Sequence, residues 1–164
     1  MITAPQLELL PGPYWRQVAH DDKRARVLAD EHYSRQTVGA SDFTPPGRKL
    51  VLLGVDEQAV WAAVENLDVA GCLQWRVTIF RNTLPASQGG AESSMLIRQA
   101  TALTYAYWLR HYHALRVPLT TAVDPTKVRR KRDPGRCFLR AGWTRDGVTS
   151  KGLIRLRAPA PEAA

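Results

Sequence analysis

At 164 residues, with 45% hydrophobic and 23% charged side chains, the chain is sized for one globular domain with its own core. Its 23 lysines and arginines against 15 acidic residues leave a formal charge of +8 and a pI near 10.0. That excess points to a polyanionic partner, nucleic acid first, or else to an arginine-rich proteome as background. Cys72 and Cys137 stand far apart without a CxxC pair, which argues against a disulfide framework and a cysteine zinc site. With no secretory or membrane-length apolar run, a cytoplasmic protein with no membrane partner is expected.

Residues 1–13 carry three prolines around an LELL run and read as a loose arm or an edge strand. From 21 to 34, DDKRARVLADEHYS reads as a helix capped by Asp21 or Asp22, with Ala25, Leu28 and Ala29 on its apolar side. A long Gly/Ser/Pro loop follows, of a kind that is often functional. KLVLLGV at 49–55 is continuously apolar, as a strand buried on both faces should be, and AVWAAVE at 59–65 completes a hairpin. In CLQWRVTIFRN, Leu73, Trp75, Val77 and Ile79 alternate with Gln74, Arg76, Thr78 and Phe80, which predicts one uninterrupted strand.

The loop TLPASQGGAE leads into the strongest helix, SSMLIRQATALTYAYWLRHY, with Ser93 or Ser94 as its cap. Leu96, Ala100, Leu103 and Tyr107 form its stripe, with Ile97, Thr104 and Trp108 beside it. A glycine-rich loop feeding a helix N-terminus can cradle an anion, so Gly89, Gly90, Ser93 and Ser94 are candidate donor-binding residues; a capped flexible connection is the alternative. A strand at 119–123 ends on Asp124-Pro125. Pro134 is expected to open a short helix closed by Gly142, and a hairpin over 143–148 and 152–157 ends the domain. The domain is expected to span 1–157, with a disordered tail at 158–164. The order of elements predicts an α+β (mixed α/β) fold on one central, largely antiparallel sheet flanked by helices.

Between the last strand–helix pair lies the densest charge in the chain: Lys127, Arg129, Arg130, Lys131 and Arg132, with Arg136 just beyond. Such a run is either a solvated face, ion-paired to Asp133 and Asp146, or a loop that grips phosphates. His32 and Tyr33, where the first helix gives way to its loop, can supply acid–base chemistry or serve structurally. Asp124 ends a strand where ligand sites of open sheets lie, and it can equally cap its own turn. Arg81 and Asn82 end the neighbouring strand, so the two can converge on one cleft. Tyr33, Phe43 and Trp61 are the aromatic candidates for stacking on a base, Trp61 being equally suited to a core. His20, His111 and His113 show no metal-ligand spacing, and no metal is expected.

The element order is similar to the GNAT fold of acyl-CoA-dependent N-acetyltransferases, above all in the close: a strand ending AVDP, a helix with CFLRAGW, then a hairpin. Four stretches, HYS at 32–34, FRN at 80–82, SSMLIR at 93–98 and VDP at 123–125, resemble the Mom-type phage proteins, GNAT-like enzymes that modify adenine in DNA, and related phage and actinobacterial proteins. The resemblance implies a transferase acting on a nucleobase amine of double-stranded DNA with a small-molecule group donor. It implies functional roles for His32, Tyr33, one of Ser93 and Ser94, and Asp124. The segment SQGGAESS departs from the Q/R-x-x-G-x-G/A that holds the CoA pyrophosphate in regular GNAT enzymes, so acyl-CoA is implied only without its usual motif. Two other activities fit the same residues: N-acetylation of a small amine or a protein N-terminus, and nucleic-acid binding without catalysis.

Overall fold

A computed structural model describes residues 14–32, 37–112, 118–127 and 134–161. In chain order these form β1 (Trp15–Val18), α1 (Lys23–Asp30), β2 (Lys49–Gly54), β3 (Ala59–Leu67), β4 (Leu73–Asn82), a 3-10 turn (Ala86–Gln88), α2 (Ser93–Tyr112), β5 (Leu119–Val123), α3 (Arg136–Arg140), β6 (Thr144–Val148) and β7 (Ile154–Arg157). The strands make one seven-stranded sheet in the order β1-β2-β3-β4-β5-β7-β6. β1 to β4 form an antiparallel meander, β4 and β5 run parallel, and β7 is antiparallel to both β5 and β6. The parallel step needs a long crossover, which α2 supplies. The fold is therefore mixed α+β on a mostly antiparallel sheet.

Each face of the sheet has its own core, because alternate residues of the central strands point opposite ways. Leu50 and Leu52 of β2 with Trp61 and Ala63 of β3 join the cluster under α2 and α3, whereas Val51, Leu53, Val60 and Ala62 pack with Ala25, Leu28 and Ala29 of α1. The apolar run of β2 is buried on both faces, as its sequence predicts. On the α2 face three fully buried tryptophans anchor the packing. Trp61 donates through Nε1 to Thr104 Oγ1 (3.1 Å), and Trp75 lies 4.5 Å, ring to ring, from Trp108. Truncating such a residue to alanine costs about 3–5 kcal/mol.

Several expectations are corrected. β1 is a strand that the sequence reading did not find; Trp15 is buried and donates through Nε1 to Leu96 O (3.0 Å). The arm expected at 1–13 lies outside the described residues. α1 stops at Asp30, and Asp22 caps it by accepting from the Arg24 and Ala25 amides. α3 begins at Arg136 rather than Pro134, because Gly135 turns left-handed (φ 81°) against Leu156, where a Cβ would come within 2.8 Å of Cδ1. Past β7 the packing continues into the expected tail: Ala158 is buried and its amide donates to Leu119 O, while Pro159 O accepts from Tyr105. Phe43, a candidate for base stacking, is buried under α1, and Trp61 is core.

The largest correction concerns β4. Its pairing with β3 slips after Ala62↔Ile79, since Ala63 opposes Val77 and leaves Thr78 as an extra residue. A bulge of this kind reverses the side-chain phase. Trp75 and Val77 point to the α2 face, Ile79 packs under α1, and Phe80 returns to the α2 face beside Trp61 (6.0 Å) and Phe138 (5.9 Å). Arg81 and Asn82 consequently leave the strand on opposite faces, Arg81 to the end of α1 and Asn82 to the start of α2, so the expected convergence of the two on one cleft is corrected.

Candidate functional site: the wedge between β4 and β5

The bulge sits where β4 and β5 part. The two strands pair at Trp75↔Leu119, Arg76↔Thr120 and Val77↔Thr121, and no further pair follows among the described residues. Beyond that point Ala122 and Val123 pair with β7 alone. Thr121 Oγ1 donates to Val77 O (3.0 Å), so a side chain occupies the point of divergence. Added twist at the bulge carries the last residues of β4 away from β5. The result is a wedge at the C-terminal ends of two parallel strands, where open sheets place their ligands. From Ile79 to Asn82 the backbone has no ladder partner on the β5 side among the described residues.

Arg81 leaves β4 towards the end of α1. Its Nη1 donates to Leu28 O (3.2 Å) and its Nη2 meets Glu31 Oε2 at 2.6 Å, so one guanidinium satisfies a last-turn carbonyl and the C-cap carboxylate. His32 follows that cap, with its amide donating to Ala29 O (2.9 Å). Burial pushes the His32 imidazole down to about 4, and the nearby Arg81 cation adds to the shift. Near neutral pH the ring is uncharged. It can accept a proton, weakly, but it is not an acid there. His32 and Arg81 are therefore brought together, while Tyr33 lies outside the described residues.

Asp124 follows β5 at the wedge's other wall. Its Oδ1 accepts from the Thr126 hydroxyl (2.6 Å) and amide (2.9 Å), and these bonds hold its carboxyl below the usual carboxylate range. It is an ionised group that caps its own turn.

The loop expected to cradle an anion is closed by Asn82. Its Nδ2 donates to Ala91 O (2.9 Å) and Ser93 Oγ (3.1 Å), and its Oδ1 accepts from the Leu84 amide. Gly90 is required because a Cβ there would strike the Leu84 carbonyl at 1.7 Å; this glycine serves loop packing, not ligand approach. Glu92 sits at the cap position, its carbonyl accepting from Leu96 N and its carboxylate from the Ser94 hydroxyl. Ser94 is 2% exposed and faces inward. The expected capping roles of Ser93 and Ser94 are thus corrected to Glu92. A carboxylate at this helix start opposes a second anion, so Gly89, Gly90, Ser93 and Ser94 do not fit a pyrophosphate.

Of the basic run, Lys127 is exposed and its amide donates to Asp124 O (3.2 Å); Arg129, Arg130, Lys131 and Arg132 lie outside the described residues. Arg136 is exposed at the start of α3. Among the described residues no cluster of His, Cys, Asp and Glu is arranged to hold a metal, and no helix is long and apolar enough to cross a membrane.

Sequence reasoning missed Thr78, Thr121, Glu31 and the organising role of Asn82. Only the bulge left a mark in the sequence, in the adjacent apolar pair Ile79-Phe80 that breaks the alternation. The structure defines the class as an α+β protein with a wedge between parallel strands. No family model, no curated protein and no solved structure matches the chain.

Proposed function

We propose that this chain is a GNAT-like transferase that modifies a nucleobase amine, adenine, in DNA, as the Mom-type proteins it resembles do. The observation that supports this reading is the parting of β4 and β5 after Val77↔Thr121, with Arg81 near the end of β4 and Asp124 just past the end of β5. An extended donor laid along residues 79–82 hydrogen-bonds the β4 edge in the manner of an added strand. The flipped base presents its amine to the donor's electrophilic carbon. As the nitrogen–carbon bond forms and the donor's leaving group departs with its electron pair, the amine proton passes to neutral His32, directly or through a water. Lys127, Arg129, Arg130, Lys131, Arg132 and Arg136 hold the duplex by its phosphates without reading its sequence. Because the start of α2 does not fit a pyrophosphate, no step is assigned to CoA.

Nucleoside mass spectrometry of plasmid DNA co-expressed with the protein tests the reading. A mass-shifted deoxyadenosine is expected; unmodified adenine in every preparation counts against it. One observation favours a second reading, a DNA-binding module without transfer chemistry: an imidazole near 4 is a weak base for an amine substrate. Salt-sensitive duplex binding with no modified nucleoside would select that alternative.

A further inference from the structure

The register of the sheet sets a row of cations on the face that carries α1. Arg76 of β4 pairs with Thr120 of β5, and Thr120 pairs with Arg157 of β7, so the three side chains share one row and one face. Two residues along β5, Ala122 pairs with Arg155 on that same face. Trp75, Val77, Leu119 and Leu156, the alternate residues, belong to the core under α2 and α3, which fixes the assignment. α1 packs on this face against β2, β3 and β4. The buried residues of the other two helices belong to the opposite core, so among the described residues no helix is seated over β5, β7 and β6 here.

Thr120, 3% exposed, lies between Arg76 and Arg157, with its hydroxyl donating to Gln74 Oε1 (3.1 Å). Arg155 meets Asp146 (3.6 Å). The Arg76 and Arg157 guanidinium groups have no hydrogen-bond or ion-pair partner among the described residues. From this row β5 runs towards Asp124 and Lys127.

We infer that Arg76, Arg155 and Arg157 form a track for the phosphate backbone of duplex DNA, leading along the α1 face to the wedge. The inference rests on the nucleic-acid half of the function proposed above and adds the surface on which the duplex lies. Same-face residues of one strand are about 7 Å apart, and residues two strands apart about 10 Å. One DNA strand carries a charge every ~3.4 Å of axis and its phosphates stand further apart than that along the winding backbone, so cations at these spacings face separate phosphates of one strand. The charges of the row and of a phosphate backbone are complementary. The track therefore positions the duplex and does not read it.

The test is a binding titration of the full chain with a fluorescent duplex across a salt series. It compares the wild type, the double variant R76Q/R157Q, the conservative R76K/R157K, and a loop variant K127Q/R129Q/R130Q. The double glutamine variant is expected to bind at least about tenfold more weakly, with the slope of log K against log salt reduced by about 2 for two lost phosphate contacts. The lysine variant is expected to bind within a few-fold of wild type, which separates lost charge from lost folding. Wild-type affinity and slope in R76Q/R157Q, with binding lost only in the loop variant, overturns the track and leaves the proposed function standing. No duplex binding by the wild type at low salt overturns both.

Discussion

Asn82 ties the end of β4 to the start of α2 with a single amide, reaching Ala91, Ser93 and Leu84. Asn82→Ala leaves those partly buried groups unpaired and is expected to cost about 1–3 kcal/mol. Denaturant unfolding measures the loss, and faster amide exchange over 83–92 localises it. His32 makes a second residue-scale prediction. Its folded pKa, about 4, lies below the 6.5 of the free side chain. At pH above 6.5 both folded and unfolded chains hold it neutral, and its contribution is fully present. As pH falls from 6.5 to about 4 the unfolded chain takes up a proton that the folded chain refuses, so stability drops by up to about 3 kcal/mol. His32→Gln is expected to flatten that window in denaturant midpoints measured against pH. Asp22, Asp42 and Asp124, whose carboxyls are held low, act below it as they protonate. An unchanged slope between pH 6.5 and 4 in the variant would show that His32 is not the group responsible. At this scale the sequence could name His32, Arg81 and Asp124, because their positions at element ends are local facts. It could not show that Arg81 is bound to Glu31 and Leu28, since those partners lie far away in the chain.

Among the elements, β4 departs most from its predicted form. Alternation from Leu73 to Phe80 describes a flat strand, and the extra residue at Thr78 turns its second half over. The difference is measurable residue by residue. Ile79→Ala should loosen α1, with which Ile79 shares a core, and Phe80→Ala should loosen α3 through Phe138. Each should cost about 2–5 kcal/mol. Hydrogen exchange that shows both substitutions acting on the same helix would contradict the bulge. Long elements with regular periodicity, such as α2 and β2, were legible because burial repeats along them. α2 keeps its predicted bounds, while its buried centre shifts to Ile97, Ala100, Thr104 and Trp108, leaving Leu103 and Tyr107 half-buried. β1 was missed because four residues with Trp15 and Val18 at their ends carry too short a pattern. α3 was placed two residues early, since Pro134 is a good helix opener while Gly135 takes the left-handed conformation that ends such an opening.

At the scale of the whole molecule, a charge of +8 has to be carried somewhere. The sequence placed it in one loop; the sheet register adds a second set of cations that no linear reading could align, because Arg76 and Arg157 meet only across β5. Binding to duplex DNA is accordingly expected to fall steeply between 50 and 200 mM salt, by roughly 10³-fold if about six phosphates are contacted. Base-pair substitutions in the duplex should change the affinity little. The central claim is that adenine is modified in the wedge, and nucleoside mass spectrometry of plasmid DNA from cells expressing wild type, His32→Ala and Asp124→Asn tests it most directly. Modified deoxyadenosine in the wild type, reduced at least tenfold in both variants, is the predicted result. Adenine left unmodified by all three, or modified equally by all three, would contradict it.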